Sequence, residues 1–386
     1  MFFCHLLVFS GLILFQGLFH ALCSAGWLSL LLLLIALYIS PFMLGYAGWY
    51  GLDGYREVLF YLPLQQILLI GPVFWMYLKS LLYHDYTPNH ADWLHFLPGM
   101  LYLIYSTGIF MFDICIADEV FFYRDGRDKD FDLWYQVAGF LSLGTYFLLS
   151  LRQYQQYRQR VFDTLSYAEE VSYTWVHGLL SVFLLMLMLR GVFFVLNPEW
   201  DAFGRKFWYY LAISLTGYYL AIQGYRQGIL LHTSEVLRQA VSEEAPLQLP
   251  LPNPRHEAIA EAGAVDRDYA AWVGRIEQLM QEGQLYKNPV LTLADVAQHL
   301  GETTKTISGV INSGTGLNFN DYINRFRVEA FLQEIAAGAH QRHTLLGIAI
   351  SCGFNSKSTF NRAFKKHTGL SPHEYIQKHM GKGVKS

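Results

Sequence analysis

Charge is what this 386-residue chain has least of: 15% of its residues are Asp, Glu, Lys or Arg, while 53% are hydrophobic and 16% aromatic. An ordinary soluble protein carries roughly 25% charged residues, so the deficit points to a bilayer. Cysteine is equally scarce, and Cys4, Cys23, Cys115 and Cys352 lie far apart without a CxxC pair. That spacing excludes both a disulfide framework and a zinc knuckle. GxSxG, HExxH, Walker-type and kinase signatures are absent, which leaves enzyme chemistry without a visible home and implies no metal or cofactor. The cluster "HDYTPNHADWLH" holds His84, His90 and His95, but Pro88 breaks it and no single helix face collects the three. They read as interfacial loop histidines. The first apolar run also lacks the positive n-region of a signal peptide, so it reads as a retained span.

Long apolar runs are what the first 225 positions do contain. About 20 mostly apolar residues cross a bilayer as a helix, and seven candidate stretches lie near 2–22, 27–49, 59–82, 93–115, 133–151, 173–196 and 207–223. Trp and Tyr stand near many of their ends, as rings anchored at headgroup level do. Only "CSAG" separates the first two, so a count of six is the other reading. Seven spans place the termini on opposite sides, with the C-terminal part in the cytosol and the N-terminus outside. Lys and Arg near the span ends divide almost evenly and do not decide this orientation. The polar residues inside the spans are Gln65, Gln66, His177 and Arg190. Ionisable groups at membrane depth usually face the bundle interior, which makes these four candidate ligand contacts, with interfacial snorkelling the alternative for Arg190.

Residues 226–267 read as a juxtamembrane helix followed by a Pro- and Ala-rich linker, and residues 268–380 as a compact soluble domain. The sign of the charge changes with it. Residues 1–265 hold 14 Lys and Arg against 21 Asp and Glu, a net of −7, while residues 266–386 hold 14 against 10, a net of +4. An anionic partner suits that basic end.

The soluble part repeats itself. Thr292, Leu293, Ala297 and Gly301 recur as Thr344, Leu345, Ala349 and Gly353; Thr306, Thr315, Gly316, Leu317, Tyr322 and Ile323 recur as Thr359, Thr368, Gly369, Leu370, Tyr375 and Ile376. Each copy reads as helix, glycine turn, helix. Thr292 with Asp295 and Ser371 with Glu374 have capping-box spacing, and Gly301 and Gly353 suit the left-handed residue that ends a helix sharply. Two helices so joined form a helix-turn-helix unit, whose second helix enters the major groove.

At 100° per residue, Lys357, Ser358, Asn361, Arg362 and Lys365 share one arc of about 140°, with Phe360, Ala363, Phe364 and His367 opposite. In the first copy Thr304, Lys305, Ser308, Gly309 and Asn312 are open, with Ile307, Val310 and Ile311 buried. These polar types suit base edges, because Arg and Lys bond guanine, Asn bonds adenine, and Ser or Thr meets either. Thr304, Lys305, Ser308, Asn312, Lys357, Ser358, Asn361 and Arg362 are therefore the base-facing candidates. Ser356, Arg325, Arg327, Lys365 and Lys366 are the candidates for phosphate, which gives affinity without sequence information. Double-stranded DNA is the partner these faces fit.

Residues 289–376 resemble the paired helix-turn-helix domain of AraC-type transcriptional regulators. The resemblance lies in "LTLADVAQHLGETTKTISGVIN", "GLNFNDYINRFRVEAF" and "IAISCGFNSKSTFNRAFKKHTGLSPHEYI". It implies two units joined by a long helix over about 319–337, with both recognition helices on one face of DNA, about 34 Å apart. Gly309 stands where the family often has a larger polar residue, and a mid-helix Gly costs roughly 1 kcal/mol relative to Ala, so the second unit is expected to grip harder.

The expected architecture is all-α: a membrane bundle over 1–225, then a DNA-binding domain. The expected role is a non-enzymatic one-component regulator of the bacterial inner membrane. In it a small-molecule or membrane signal shifts the bundle, and the cytoplasmic domains respond by homodimerising or leaving the membrane. A membrane anchor without sensing, and a transporter or intramembrane enzyme with a regulatory tail, are the rival readings.

Overall fold

The computed structural model describes residues 2–20, 23–52, 55, 59–83, 86–117, 121–123, 129–171, 174–196, 206–241 and 269–380. His84, the loop around Gly126 and the linker beyond Val241 lie outside the described residues. The chain divides into two compact units, Met1–Tyr154 with Trp175–Asn253 and Gln155–Thr174 with Pro254–Ser386. Among the described residues the only β feature is an isolated antiparallel bridge between Leu165 and Thr292.

In the first unit each apolar stretch holds a helix: α1 (Phe2–His20), α2 (Cys23–Tyr46), α3 (Ile67–Leu82), α4 (Leu97–Phe112), α5 (Leu133–Thr164), α6 (Thr174–Leu196) and α7 (Phe207–Val241). Among the described residues, four segments are long and apolar enough to cross a bilayer: Phe2–Phe19, Cys23–Tyr46, His90–Ala117 and Val176–Phe193. Helices α5 and α7 outrun their apolar stretches, running on through "RQYQQYRQRVFDT" and past Gln223, where no Pro interrupts them. Large apolar side chains point outward, with Phe19, Ile104, Leu141, Met188 and Val195 all exposed. Such surface suits lipid and not water.

The third stretch departs from expectation. α3 begins only at Ile67, and residues 62–66 are not helical. Pro63 disfavours helical geometry at Leu62, and the backbone of Gln65 is bonded elsewhere: its N–H donates to Asp130 (2.8 Å) and its carbonyl accepts from the Tyr135 hydroxyl (2.6 Å). Gln65 and Gln66 therefore stand in a break of the chain and not within a span. Interhelix contacts are close and partly polar. Ser10 and Ser29 exchange hydroxyl-to-carbonyl bonds between α1 and α2 (2.9 and 2.8 Å), and a Cβ on Gly139 would sit 2.3 Å from Ile67. Small residues and hydroxyls of this kind hold apolar helices together.

The second unit contains residues 155–174, α8 (Tyr269–Gly283), α9 (Leu293–Leu300), α10 (Thr304–Thr315), α11 (Phe319–Ala336), α12 (Leu345–Ser351), α13 (Lys357–Thr368) and α14 (Pro372–Met380). It has two cores. Ile276, Met280, Val296, Ile307, Val310 and Tyr322 fill one, and Val328, Phe331, Ile348, Phe354, Phe360 and Phe364 fill the other. α11 lends one end to each, so the repeat expected from sequence becomes two packed halves on a shared helix. Cys352 is buried in the second core, and burial pushes its thiol above the ordinary range.

The two helix-ending glycines are not equivalent. Both have positive φ, 66° at Gly301 and 99° at Gly353, but a Cβ would meet nothing within 4 Å at Gly301 and would lie 2.4 Å from the Tyr286 carbonyl at Gly353. Gly301→Ala should therefore cost about 1 to 2 kcal/mol, the left-handed strain alone. Gly353→Ala adds a backbone clash and should cost about 3 kcal/mol or more. Urea unfolding of a 269–386 fragment followed by circular dichroism checks the difference, and equal losses would remove the role given to the Tyr286 contact.

Candidate nucleic-acid interface

Each helix-turn-helix unit is built by local hydrogen bonds. Thr292 and Asp295 form the expected capping box at α9, the Asp295 N–H donating to the Thr292 hydroxyl (3.2 Å) and the Thr292 N–H to the Asp295 carboxylate (2.8 Å). Ser371 and Glu374 do the same at α14 (3.3 and 2.8 Å). At α13 the Ser356 hydroxyl accepts from the Thr359 N–H (3.2 Å). Ser356, a phosphate candidate from sequence, is thus partly buried as the N-cap of the second recognition helix.

The faces fall where the 3.6-residue period puts them. On α13 Phe360 and Phe364 are buried against Phe331, with ring centroids 4.6 and 5.5 Å apart, while Lys357, Ser358, Asn361, Arg362, Lys365 and Lys366 are exposed. His367, placed on the buried side by the helical wheel, is exposed as well, because the core closes at Phe364 before the last turn. On α10 Ile307, Val310 and Ile311 are buried, Thr304, Lys305 and Asn312 are exposed and Ser308 is half-buried.

The basic residues assigned to phosphate divide three ways. Lys365 is exposed. Lys366 is exposed but donates to Asp321 (2.7 Å), and Arg325 pairs with Glu277 (3.0 Å) and, more loosely, Glu329 (3.8 Å). Arg327 is 1% exposed and belongs to the interior. Its five N–H groups meet five neutral acceptors: Nε reaches the Tyr286 carbonyl (2.8 Å), Nη1 the Ser166 carbonyl (3.1 Å) and Asn324 Oδ1 (3.2 Å), and Nη2 the Ser166 hydroxyl (3.0 Å) and the Asn288 carbonyl (2.8 Å). A guanidinium so enclosed is not offered to phosphate in this conformation. Sequence reasoning placed it by helix position alone.

Sequence reasoning also missed the segment that supplies Ser166. Residues 165–169 follow α5 and lie against the helix-turn-helix unit, with the Glu169 carboxylate in an ion pair with the Arg362 guanidinium. The only local signal was a pair of carboxylates in "LSYAEE", which by itself reads as a solvated turn.

In the first unit, the four polar residues singled out from sequence separate into three settings. Arg190, 4% exposed, donates through Nη1 to the hydroxyl of Tyr38 (2.7 Å) and that of Tyr209 (3.4 Å), and through Nη2 to the side chain (2.8 Å) and backbone (3.3 Å) carbonyls of Gln136. Gln136 in turn donates to Gln65 Oε1 (3.1 Å), and Gln65 to the Tyr210 hydroxyl (2.9 Å). Arg190 and Gln65 thus belong to one buried network, beside a cavity of about 30 Å³ lined by Ile35, Ile67, Phe183 and Ile213. Gln66 is buried but bonds locally to the Pro63 carbonyl (2.6 Å), and the His177 ring bonds Tyr154 (2.8 Å). Among the metal-reading histidines, His95 bonds the Tyr146 hydroxyl (2.9 Å). Gln136→Leu removes one acceptor from a buried guanidinium, so it should lower the stability of the detergent-solubilised protein by about 1 to 3 kcal/mol. A thermal midpoint unchanged from that of the parent protein would argue against the network.

Known proteins match the end of the chain that carries the repeat. The family described as "Helix-turn-helix domain" matches residues 296–378. The HTH-type transcriptional activator AarP of Providencia stuartii is 32% identical over 85 residues, which are 22% of this chain and 61% of AarP. The transcriptional regulatory protein HptR of Staphylococcus aureus is 30% identical over 94 residues, 24% of this chain and 35% of HptR. An uncharacterised HTH-type transcriptional regulator of Staphylococcus aureus is 24% identical over 101 residues, and there the chain spans only 13% of the relative's length. No solved structure matches. With the paired units, the shared helix and these similarities together, residues 296–378 are a helix-turn-helix domain of the AraC type.

Proposed function

We propose that the chain is a membrane-embedded, one-component transcriptional regulator, not an enzyme. Its apolar first unit sits in the bacterial inner membrane and responds to a small-molecule or membrane signal, and its C-terminal domain binds double-stranded DNA in the cytoplasm. The observation that carries this reading is the pair of recognition helices, each with a buried apolar side and an open face of Lys, Thr, Ser, Asn or Arg. Those are the side chains that pair with base edges. Thr304, Lys305, Ser308 and Asn312 read bases from the first recognition helix, and Lys357, Ser358, Asn361 and Arg362 from the second. Lys365, Lys366 and Arg325 serve phosphates, the last two by exchanging carboxylate partners. Two such chains acting as a homodimer would double the contacted site.

Sensing is favoured over passive anchoring by the Arg190 network. A guanidinium at membrane depth is expensive and rare, and an anchor has no use for one. Its partners come from α2, α5 and α7, so any ligand or deformation that alters one bond alters the packing of three helices.

Two substitutions separate base reading from phosphate contact. Arg362→Ala should weaken binding to the preferred duplex by about 1 to 3 kcal/mol and relax preference at one base position. Lys366→Ala should weaken binding to all duplexes alike and reduce the salt slope by about 1. Fluorescence anisotropy with a duplex selected from a random pool, against an unselected duplex, measures both. An equal loss on the two duplexes for Arg362→Ala would reject its assignment to a base.

A further inference from the structure

Residues 165–169 make more specific contacts than a connecting turn needs. Leu165 pairs with Thr292 as an antiparallel bridge, and the Ser166 N–H donates to the Leu291 carbonyl (3.1 Å). Asn320 Nδ2 donates to the Leu165 carbonyl (3.2 Å), and Arg327 takes both the carbonyl and the hydroxyl of Ser166. Leu165, Ser166, Tyr167 and Ala168 are all buried. The segment thus lies along α11 and the start of α9, with the Leu165 carbonyl and both backbone groups of Ser166 bonded to the DNA-binding domain. That arrangement places the next side chain, Glu169, against the second recognition helix.

There the Glu169 carboxylate pairs with Arg362, whose side chain remains 61% exposed while that of Glu169 is only 10% exposed. An ion pair between two freely exposed side chains is worth little. Here the carboxylate is held by a buried, hydrogen-bonded backbone, so little side-chain freedom is lost when the pair forms. The carboxylate also has the sign and the planar pair of oxygens that a guanidinium meets on a phosphate or at the guanine edge. While the pair persists, Arg362 faces an acid of its own chain.

We infer that residues 165–169 form an autoinhibitory clamp, in which the docked backbone presents Glu169 as an internal competitor that keeps Arg362 from DNA. This rests on the proposal that Arg362 reads a base. The clamp follows the end of α5 and lies a few residues before the start of α6, two helices most of whose residues belong to the apolar first unit. A shift of either helix pulls on the clamp through covalent bonds. Release frees Arg362, and DNA binding in turn disfavours the clamped state, since the coupling is reciprocal.

The test uses the full-length protein in detergent or lipid nanodiscs and a duplex that it selects from a random pool. Glu169→Ala removes the charge, whereas Glu169→Asp keeps the charge and shortens the reach. Both should bind the duplex about fivefold to tenfold more tightly than the parent, because apparent affinity rises with the fraction of competent protein. Glu169→Asp matters most, since a mere reduction of negative charge near DNA predicts no gain from it. Ser166→Pro, which deletes the N–H bonded to Leu291, should give a gain of the same kind with Glu169 intact. In an Arg362→Ala background Glu169→Ala should bring no further change. If both Glu169 variants bind like the parent while Arg362→Ala still loses preference for the selected duplex, the clamp is wrong and base reading stands. If Arg362→Ala leaves sequence preference untouched, base reading by that residue fails, and the clamp loses its target.

Discussion

Burying a guanidinium sets a demand on everything around it, because each unmet donor costs about 1 to 3 kcal/mol and a buried charge more. The second unit is arranged around that demand. Arg327 on α11 draws the Tyr286 and Asn288 carbonyls to the helix, which fixes the segment between α8 and α9. The Tyr286 carbonyl it bonds lies so close to Gly353 that no Cβ fits there, which fixes the turn between α12 and α13. Both recognition helices follow turns or segments positioned by this one side chain. Two of its five bonds go to Ser166, outside the helix-turn-helix sequence altogether. The DNA-binding domain therefore completes its interior with residues contributed from between two helices of the apolar half.

The first unit is organised by the same demand met differently. Arg190 is also enclosed, and its acceptors are two tyrosine hydroxyls and one glutamine. Neutral acceptors satisfy donor geometry without burying a second charge, which keeps desolvation lower than a carboxylate pair would. The nearby carboxylate, Asp130, is one step removed through Gln136 and Gln65, and burial pushes it toward its neutral form against hydrogen bonds from Tyr102 and the Gln65 backbone. Gln65 takes part because the helix is interrupted at residues 62–66, leaving buried backbone groups that must be met by other partners.

Much of this was legible in the sequence, and the limit has a physical basis. Caps, glycine turns and the sides of α10 and α13 depend on residues within four positions of one another. The code there is local, and Thr292 with Asp295 or Phe360 with Phe364 declared it. The exceptions were set by distant partners. Arg327 and Ser166 are 161 residues apart, and Gln65 and Gln136 are 71. No periodicity reports such pairs, so the sequence offered Arg327 to phosphate and left the acids after Leu165 without a role. The break before Ile67 was written in Pro63, but hydropathy alone averaged over it.

The placement of the clamp between α5 and α6 also constrains how strong it can be. A lock that held Arg362 by many kcal/mol would never answer a signal, because a ligand moves an equilibrium only by its own difference in affinity for the two states. Measured couplings between distant sites are typically about 1 to 3 kcal/mol. The two Arg327 bonds to Ser166 and the Glu169 pair can each be replaced by water or by DNA, while Leu165, Tyr167 and Ala168 give up burial. On release Arg327 keeps its bonds to Tyr286, Asn288 and Asn324, so the domain loses part of its central bonding without losing its fold. Autoinhibition in this design is a shallow balance set by one buried arginine that stays bonded in either state.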